Sequence, residues 1–337
     1  MPTPTERGRS PELRWMPARP RLGVAVLEEA FELRRPGIDA PIPARLAAPG
    51  APCAEALGLD IELAAYSCSQ LDAIARAAQL IGGVARVHLK VETGMWRGGA
   101  AGEWPDMVAP ARRYEEEGVL HVQGVWSHLA CADTPDNPAN DAQLAVFLDA
   151  VATAHAAGLR PTFRHPANSA AALTRADMHF DIVRCGLAVY GVNPLTDQDV
   201  NVDLRPAMAI KAHVAHVKTA PAGVGVSYSL TYVTTAPTTL AVVPLGYADG
   251  VPVLADPGAP IGRPGTALQI AGRVCMDQLI VDMGEVPVEP GDVVTLLGPG
   301  DDGEHTAAQW ASASGRSAYD ILTGFARRRV PIFARQQ

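Results

Sequence analysis

Short apolar runs and helix-period stripes take turns along the chain from Leu22 to about residue 200. LGVAV at 22–26 predicts a strand. EEAFELRR follows at helical spacing until Pro36, which has no amide to continue a helix. Ser67 and Gln70 form an S-x-x-Q capping box, predicting a helix through Leu80. VARVHLKV at 84–91 predicts a strand with Val87, Leu89 and Val91 on an apolar face and Arg86, His88 and Lys90 on a polar one. GVWSHLA at 124–130 predicts another strand. Leu144, Phe147, Leu148 and Val151 make a helical stripe that Gly158 ends. PTFRH at 161–165 and FDIVR at 180–184 predict short strands, whereas Pro43 argues against one at PIPARLAA. Repeated strand–helix units of this length imply a parallel sheet with helical crossovers, in a barrel or an open α/β sheet.

After Leu204 the period changes. AMAIKAHVAHVK, TTLAVVPLG, GRVCMDQLIVDM and DVVTLLG read as strands between Gly- and Pro-containing turns, predicting a mostly antiparallel β-domain. Thr306 and Gln309 form a second capping box, for a short helix. The first 21 residues mix five arginines with five prolines and hold no apolar core of a secretory signal, so they predict a disordered tail. The expected division is a tail at 1–21, an α/β domain at 22–203 and a β-domain at 204–337.

Charge and cysteine usage narrow the function classes. A net charge of −8 disfavours a nucleic-acid surface. Five cysteines without a C-x-x-C pair indicate neither a disulfide framework nor a metal centre, and a reduced cytoplasm is expected. No apolar run is long enough to span a membrane.

In a barrel, chemistry gathers at the C-terminal ends of the strands. His128 follows one predicted strand. His165, Asn168 and Ser169 follow the next, and Arg184 and Gly186 the last. A serine beside small residues, with the Gly186 and Leu187 amides, can cradle a phosphate. Each residue alone is more commonly a structural hydrogen-bonding group.

Their joint order carries more. KVETGMWRGG at 90–99, SHLACAD at 127–133, RHPANSAA at 164–171, HFDIVRCGLAVYG at 179–191, GVSYSLTY at 225–232, PLGYADG at 244–250, GRVCMDQLIVDM at 272–283 and SAYDILTG at 317–324 occur in sequence. In that order the chain resembles the alanine racemase family over nearly everything after Leu22. The resemblance implies a (β/α)8-type TIM barrel followed by the β-domain, pyridoxal 5′-phosphate as cofactor, and interconversion of L- and D-alanine, which supplies peptidoglycan. It also implies a homodimer in which each site joins one barrel to its partner's β-domain.

The resemblance carries roles over residue by residue. Arg184 would hydrogen-bond the cofactor's ring nitrogen, supported by His128. A guanidinium keeps its proton, so that nitrogen stays unprotonated, which favours returning a proton to Cα over transamination. Asn168, Ser169, Gly186, Leu187 and Tyr319 would hold the cofactor, chiefly its phosphate. Arg97 would serve its phenolic oxygen and the substrate carboxylate. Tyr228 would be the base for the L-enantiomer. Cys275, Met276 and Asp277 would line the substrate position, with Arg273, Asp133 and Tyr247 at the entrance. Lys90 matches a lysine that is carbamylated in many members.

The departures are equally specific. The family's second base is the lysine that holds the cofactor covalently, in a K-A-x-A-Y-G-H-G segment after the first barrel strand. The lysines here are Lys90, Lys211 and Lys218, and none matches it. The first βα unit of the barrel is therefore expected to be missing. Ser229 and Cys185 stand where Gly and Pro are usual, and Trp96 where Gly is. Two other readings are a non-catalytic paralogue that dimerises and binds pyridoxal phosphate non-covalently, and a basic-amino-acid decarboxylase on a related barrel. The decarboxylases lack the VCMD and VSY motifs.

Overall fold

The computed structural model describes residues 20–195, 198–253, 259–263 and 266–325. Most of the predicted tail lies outside them. The chain divides into two compact units, one ending at Arg184 and the other beginning at Cys185.

The first unit alternates strand and helix: β1 (Val24–Val26), α1 (Leu27–Arg34), β2 (Ile42–Leu46), α2 (Cys53–Gly58), β3 (Ile61–Ala65), α3 (Cys68–Ile81), β4 (Ala85–Lys90), α4 (Trp104–Glu116), β5 (Leu120–Trp126), α5 (Ala139–Ala156), β6 (Phe163–His165) and α6 (Ser169–Thr174). The six strands form one parallel sheet in the order β1-β2-β3-β4-β5-β6. Sequential order with a helix after every strand is the barrel-type winding that the sequence implies. Helix α3 begins as its sequence directs, with Ser67 Oγ accepting the Gln70 N–H. The Gln70 side chain reaches one residue further back than a capping box requires, to the Tyr66 N–H. Gly82 at φ 63° ends the helix in the left-handed conformation that glycine adopts without cost.

Four expectations change. Pro43 lies inside β2, paired beside Glu62, because the β1–β2 register begins only at Val24 and Ala44, so its missing N–H falls near the strand's start. FDIVR is not a strand. It is a turn at Phe180 and Asp181 followed by irregular chain, tied by Asp181 N–H to the Arg164 carbonyl and Arg184 N–H to the Ala167 carbonyl, with no ladder partner among the described residues. The α5 stripe is Gln143, Phe147, Ala150, Val151 and Ala154; Leu148 is exposed and Leu144 half-buried. The polar face of β4 is not solvated either: His88 and Lys90 are buried with Val87 and Leu89. A strand of a parallel sheet is commonly covered on both faces, so here polar alternation marks the inner face and not water.

The second unit holds β7 (Ile210–His213), β8 (His216–Ala220), β9 (Gly225–Val226), β10 (Tyr232–Val233), β11 (Thr238–Val243), β12 (Pro260–Arg263), β13 (Thr266–Ile270), β14 (Leu279–Gly284), β15 (Val293–Leu297), α7 (Ala307–Ser314) and α8 (Ala318–Gly324). Seven strands form an antiparallel sheet in the order β7-β15-β12-β13-β14-β11-β8, and β9 pairs with β10 as a separate hairpin. Thr306 and Gln309 close a full capping box on α7. Trp310 is buried and its indole N–H donates to the Leu296 carbonyl. One expected strand is shortened: only residues 279–283 of GRVCMDQLIVDM enter β14, so Cys275, Met276 and Asp277 lie on the loop before it.

Candidate active site

At the C-terminal ends of β4, β5 and β6 the first unit buries a group of cations, imidazoles and aromatic rings. Arg184 sits at its centre. Its Nη2 donates to the Ser127 and Pro166 carbonyls at 2.7 and 3.2 Å and lies 3.1 Å from His128 Nδ1. Its Nη1 donates to the His165 carbonyl. The guanidinium lies over Trp126, 5.1 Å from the ring centroid. Both Nη groups are thus committed. Nε is buried and has no partner among the described residues, as is the indole N–H of Trp126. A buried donor without an acceptor is costly, so these two point to a missing acceptor.

Positive charge is concentrated here, and the titration of its neighbours reflects it. Burial, then the charges of Arg184, Arg97, Lys90 and Arg45, push His128 down to about 3, so its ring is neutral. A neutral ring facing a guanidinium accepts at Nδ1, which places the His128 proton on Nε2. Lys90 is 4% exposed, with Nζ 4.6 Å from the Tyr66 ring centroid and 4.9 Å from that of Trp126. Burial and Arg97 bring it down to about 8, against the opposing pull of Glu92. Arg184 falls to about 9 through burial and then Arg45, which still leaves it a cation at neutral pH.

Arg97 is held by a carboxylate. Glu92 accepts the backbone N–H groups of Gly94, Met95, Arg97 and Gly98, at 2.7, 2.6, 3.3 and 3.5 Å. Burial alone would raise the Glu92 pKa, but these amide donors outweigh it and lower it. Thr93 and Ser127 share a hydrogen bond of 2.7 Å, and Gln143 donates to Thr93 and to the His128 carbonyl. Asn168 caps α6 by accepting the Ala171 N–H, and Ser169 is buried in the first turn. Asp133 is exposed on the loop after β5.

In the second unit two groups form. In the first, the Leu187 N–H donates to the Tyr319 hydroxyl at 2.9 Å, and a Cβ on Gly186 would lie 2.8 Å from that oxygen. Gly186, Leu187 and Tyr319 therefore make one small cradle beside a 3₁₀ turn at Leu187–Tyr190. The second group gathers Tyr228, Tyr247 and the loop at 273–277. Tyr247 and Ala248 donate their amides to the Cys275 and Met276 carbonyls, both at 3.0 Å. Only glycine can occupy position 246, since a Cβ there would lie 2.2 Å from the Met276 oxygen. Ser227 Oγ donates to the Arg273 carbonyl at 2.6 Å and lies 3.5 Å from Cys275 Sγ. Tyr228 projects from this turn, 66% exposed.

The sequence therefore places Lys90, Arg97, His128, Asn168, Ser169 and Arg184 in one unit, and Gly186, Leu187, Tyr228, Cys275, Met276, Asp277 and Tyr319 in the other. It misses Glu62, Tyr66, Glu92 and Trp126. The available signal was polar or aromatic side chains inside β3 and β5 (Glu62, Trp126) or just past the ends of β3 and β4 (Tyr66, Glu92), where strands buried on both faces leave them little solvent.

Comparison with known proteins gives one family. A model described as the N-terminal domain of alanine racemase matches residues 17–194, and one described as its C-terminal domain matches 207–333. The alanine racemase of Salinispora arenicola is 50% identical over 311 residues, covering 92% of this chain and 83% of the relative. That of Thermobifida fusca is 49% identical over 308 residues, covering 91% and 82%. Among solved structures, alanine racemase from D-cycloserine-producing Streptomyces lavendulae aligns with a TM-score of 0.87 at 45% identity, over 90% of this chain and 81% of that one.

Proposed function

The chain belongs to the alanine racemase family, and from that membership we propose which of its residues carry out the interconversion of L- and D-alanine. The observation that carries this reading is the unpaired, buried Nε of Arg184. It fits a ring nitrogen that accepts one hydrogen bond, as pyridoxal 5′-phosphate would present. The Gly186–Leu187–Tyr319 cradle fits that cofactor's phosphate, and family membership assigns Ser169 and Asn168 the same role. When bound, the cofactor withdraws electrons from an attached amino acid and so acidifies its Cα–H.

The chain's own residues orient the cofactor and the substrate and serve the L-face proton; none of its lysines is assigned to the D-face. Arg184 donates and does not release its proton, so the ring nitrogen remains an acceptor. His128 holds the guanidinium plane through its neutral Nδ1. Arg97, on the loop pinned by Glu92, pairs with the substrate carboxylate. By the same membership Cys275, Met276 and Asp277 are assigned to the substrate position, and Arg273, Asp133 and Tyr247 to the entrance. Tyr228 removes or delivers the proton on the L-face of Cα. It belongs to the site of the partner subunit in a homodimer. Carbamylation of Lys90 would replace a buried cation by an anion beside Arg97, and the lowered pKa of Lys90 favours the neutral amine such a reaction needs. Covalent cofactor attachment is assigned to none of Lys90, Lys211 and Lys218. The D-alanine formed would supply peptidoglycan synthesis in the cytoplasm.

The test is solvent deuterium incorporation. Purified protein with pyridoxal phosphate and L-alanine in D₂O should give α-deuterated L- and D-alanine by proton NMR and chiral chromatography. Absence of exchange at saturating cofactor, with the protein folded, would refute these assignments for this chain.

A further inference from the structure

A second polar group, which the proposed chemistry leaves unused, lies deeper in the first unit. Glu62 on β3 is 2% exposed, in a strand buried along its whole length. A carboxylate there needs several partners. It has three: Arg21, Arg86 Nε at 3.3 Å and His88 Nε2 at 2.8 Å. From His88 the contacts continue. His88 Nδ1 lies 2.9 Å from His165 Nε2, and His165 Nδ1 lies 3.5 Å from Arg184 Nη1. The imidazoles meet edge-to-face, and His165 stacks on Trp126 with their planes 5° apart.

The chemistry of these atoms allows one hydrogen-bond direction. An ionised carboxylate only accepts, so His88 carries its proton on Nε2. A neutral His88 then accepts at Nδ1, so His165 must donate from Nε2. His165 is left with an accepting Nδ1, which faces the Nη1 donor of Arg184. Any other tautomer sets two protons or two lone pairs against each other. Burial favours the neutral form of both rings: it lowers His88 despite Glu62, and it holds His165 well below its usual value.

We propose that Glu62, His88 and His165 are positioning residues that act as a one-way hydrogen-bond relay, fixing the tautomer of His165 and through it the orientation of Arg184. The relay joins a buried anion to a buried cation through two neutral rings, and each bond polarises the next. It gives Arg184 a support at Nη1, whereas His128 meets Nη2. It therefore adds to the carbonyl contacts that set where the unpaired Nε points. This rests on Arg184 being the group that meets the cofactor.

The experiment is long-range proton–nitrogen NMR on the full chain with ¹⁵N-labelled imidazoles, with His88 and His165 assigned by single replacement. In the native chain at neutral pH both rings should show pyrrole-type Nε2 and pyridine-type Nδ1 nitrogens. A charged ring, or a proton on Nδ1 of either, would overturn the relay without any variant. Glu62→Leu removes the acceptor oxygens that hold the His88 proton on Nε2. It should shift both rings together into tautomer exchange. Movement of His88 alone, or of neither ring, would also overturn the proposal. The cofactor reading fails separately: binding of pyridoxal phosphate, followed by its absorbance, would be unaffected by Arg184→Ala.

Discussion

Arg184 Nη2 stands 3.1 Å from Nδ1 of His128, and the guanidinium is the donor of the pair. The imidazole must stay neutral to accept, and its pKa of about 3 keeps it so. This has a consequence for stability. Between about 3 and the usual value near 6.5 the unfolded chain binds a proton that the folded chain does not. The contribution is complete above pH 6.5 and is lost as pH falls towards 3. Glu62, lowered to about 2 by His88 and Arg21 against the effect of burial, has the same sign in a lower window, from about 4.5 down. The midpoint of urea unfolding should fall as pH drops from 7 to 4. His128→Gln should remove about one proton from that slope. A midpoint that does not change over this range would contradict the neutral, buried assignment.

Arg184→Lys keeps a charge but cannot make the same bonds. An ammonium is a point charge, whereas the guanidinium plane spans the Ser127, His165 and Pro166 carbonyls and still presents Nε. Loss of a preorganised donor at a reacting centre costs roughly 10²–10³ in rate. We expect a fall of that size in kcat/KM for alanine, with weaker cofactor binding by absorbance titration. Near-native kcat/KM in the lysine variant would mean that the planar donor is dispensable.

The strand–helix rhythm was legible because it depends on local pattern, and the helix caps at Ser67 and Thr306 were legible because a side chain must meet a nearby amide. Segment 180–184 was misread for a non-local reason. Its alternation suits a strand, but a strand also needs a neighbour, and the chain supplies only isolated bonds there. The site residues that match known motifs were legible from their order. Glu62 and Trp126 were not, because their importance comes from burial on the inner faces of β3 and β5, and composition does not reveal which face is inner. Trp96 and Ser229 were visible as departures, and the structure supplies their physical meaning.

Both stand at positive φ, 54° and 60°, the region where a side chain is strained and glycine is not. Trp96 is also 82% exposed, so little packing offsets the strain. Ser229→Gly and Trp96→Gly should each stabilise the chain by about 0.5–1 kcal/mol, and the corresponding alanine variants should not. Differential scanning calorimetry on the four variants checks this. Alanine variants as stable as the glycine ones would mean that the backbone there is unstrained.

Tyr228 and Arg184 belong to different compact units, and the shared-site reading pairs the Tyr228 of one subunit with the Arg184 of its partner. Tyr228→Phe removes the L-face base and should slow exchange of the L-alanine α-proton by about 10²–10⁴. The two single variants also provide a geometric test. If Tyr228→Phe and Arg184→Ala chains are unfolded together and reassociated in equal amounts, about half of the dimers are mixed, and each mixed dimer holds one intact site. Activity should return to roughly a quarter of the native value, although each parent alone is nearly inactive. If each site were built within one chain, every site in the mixture would carry one lesion. Mixing would then restore nothing, and size-exclusion chromatography would show that dimers had formed all the same.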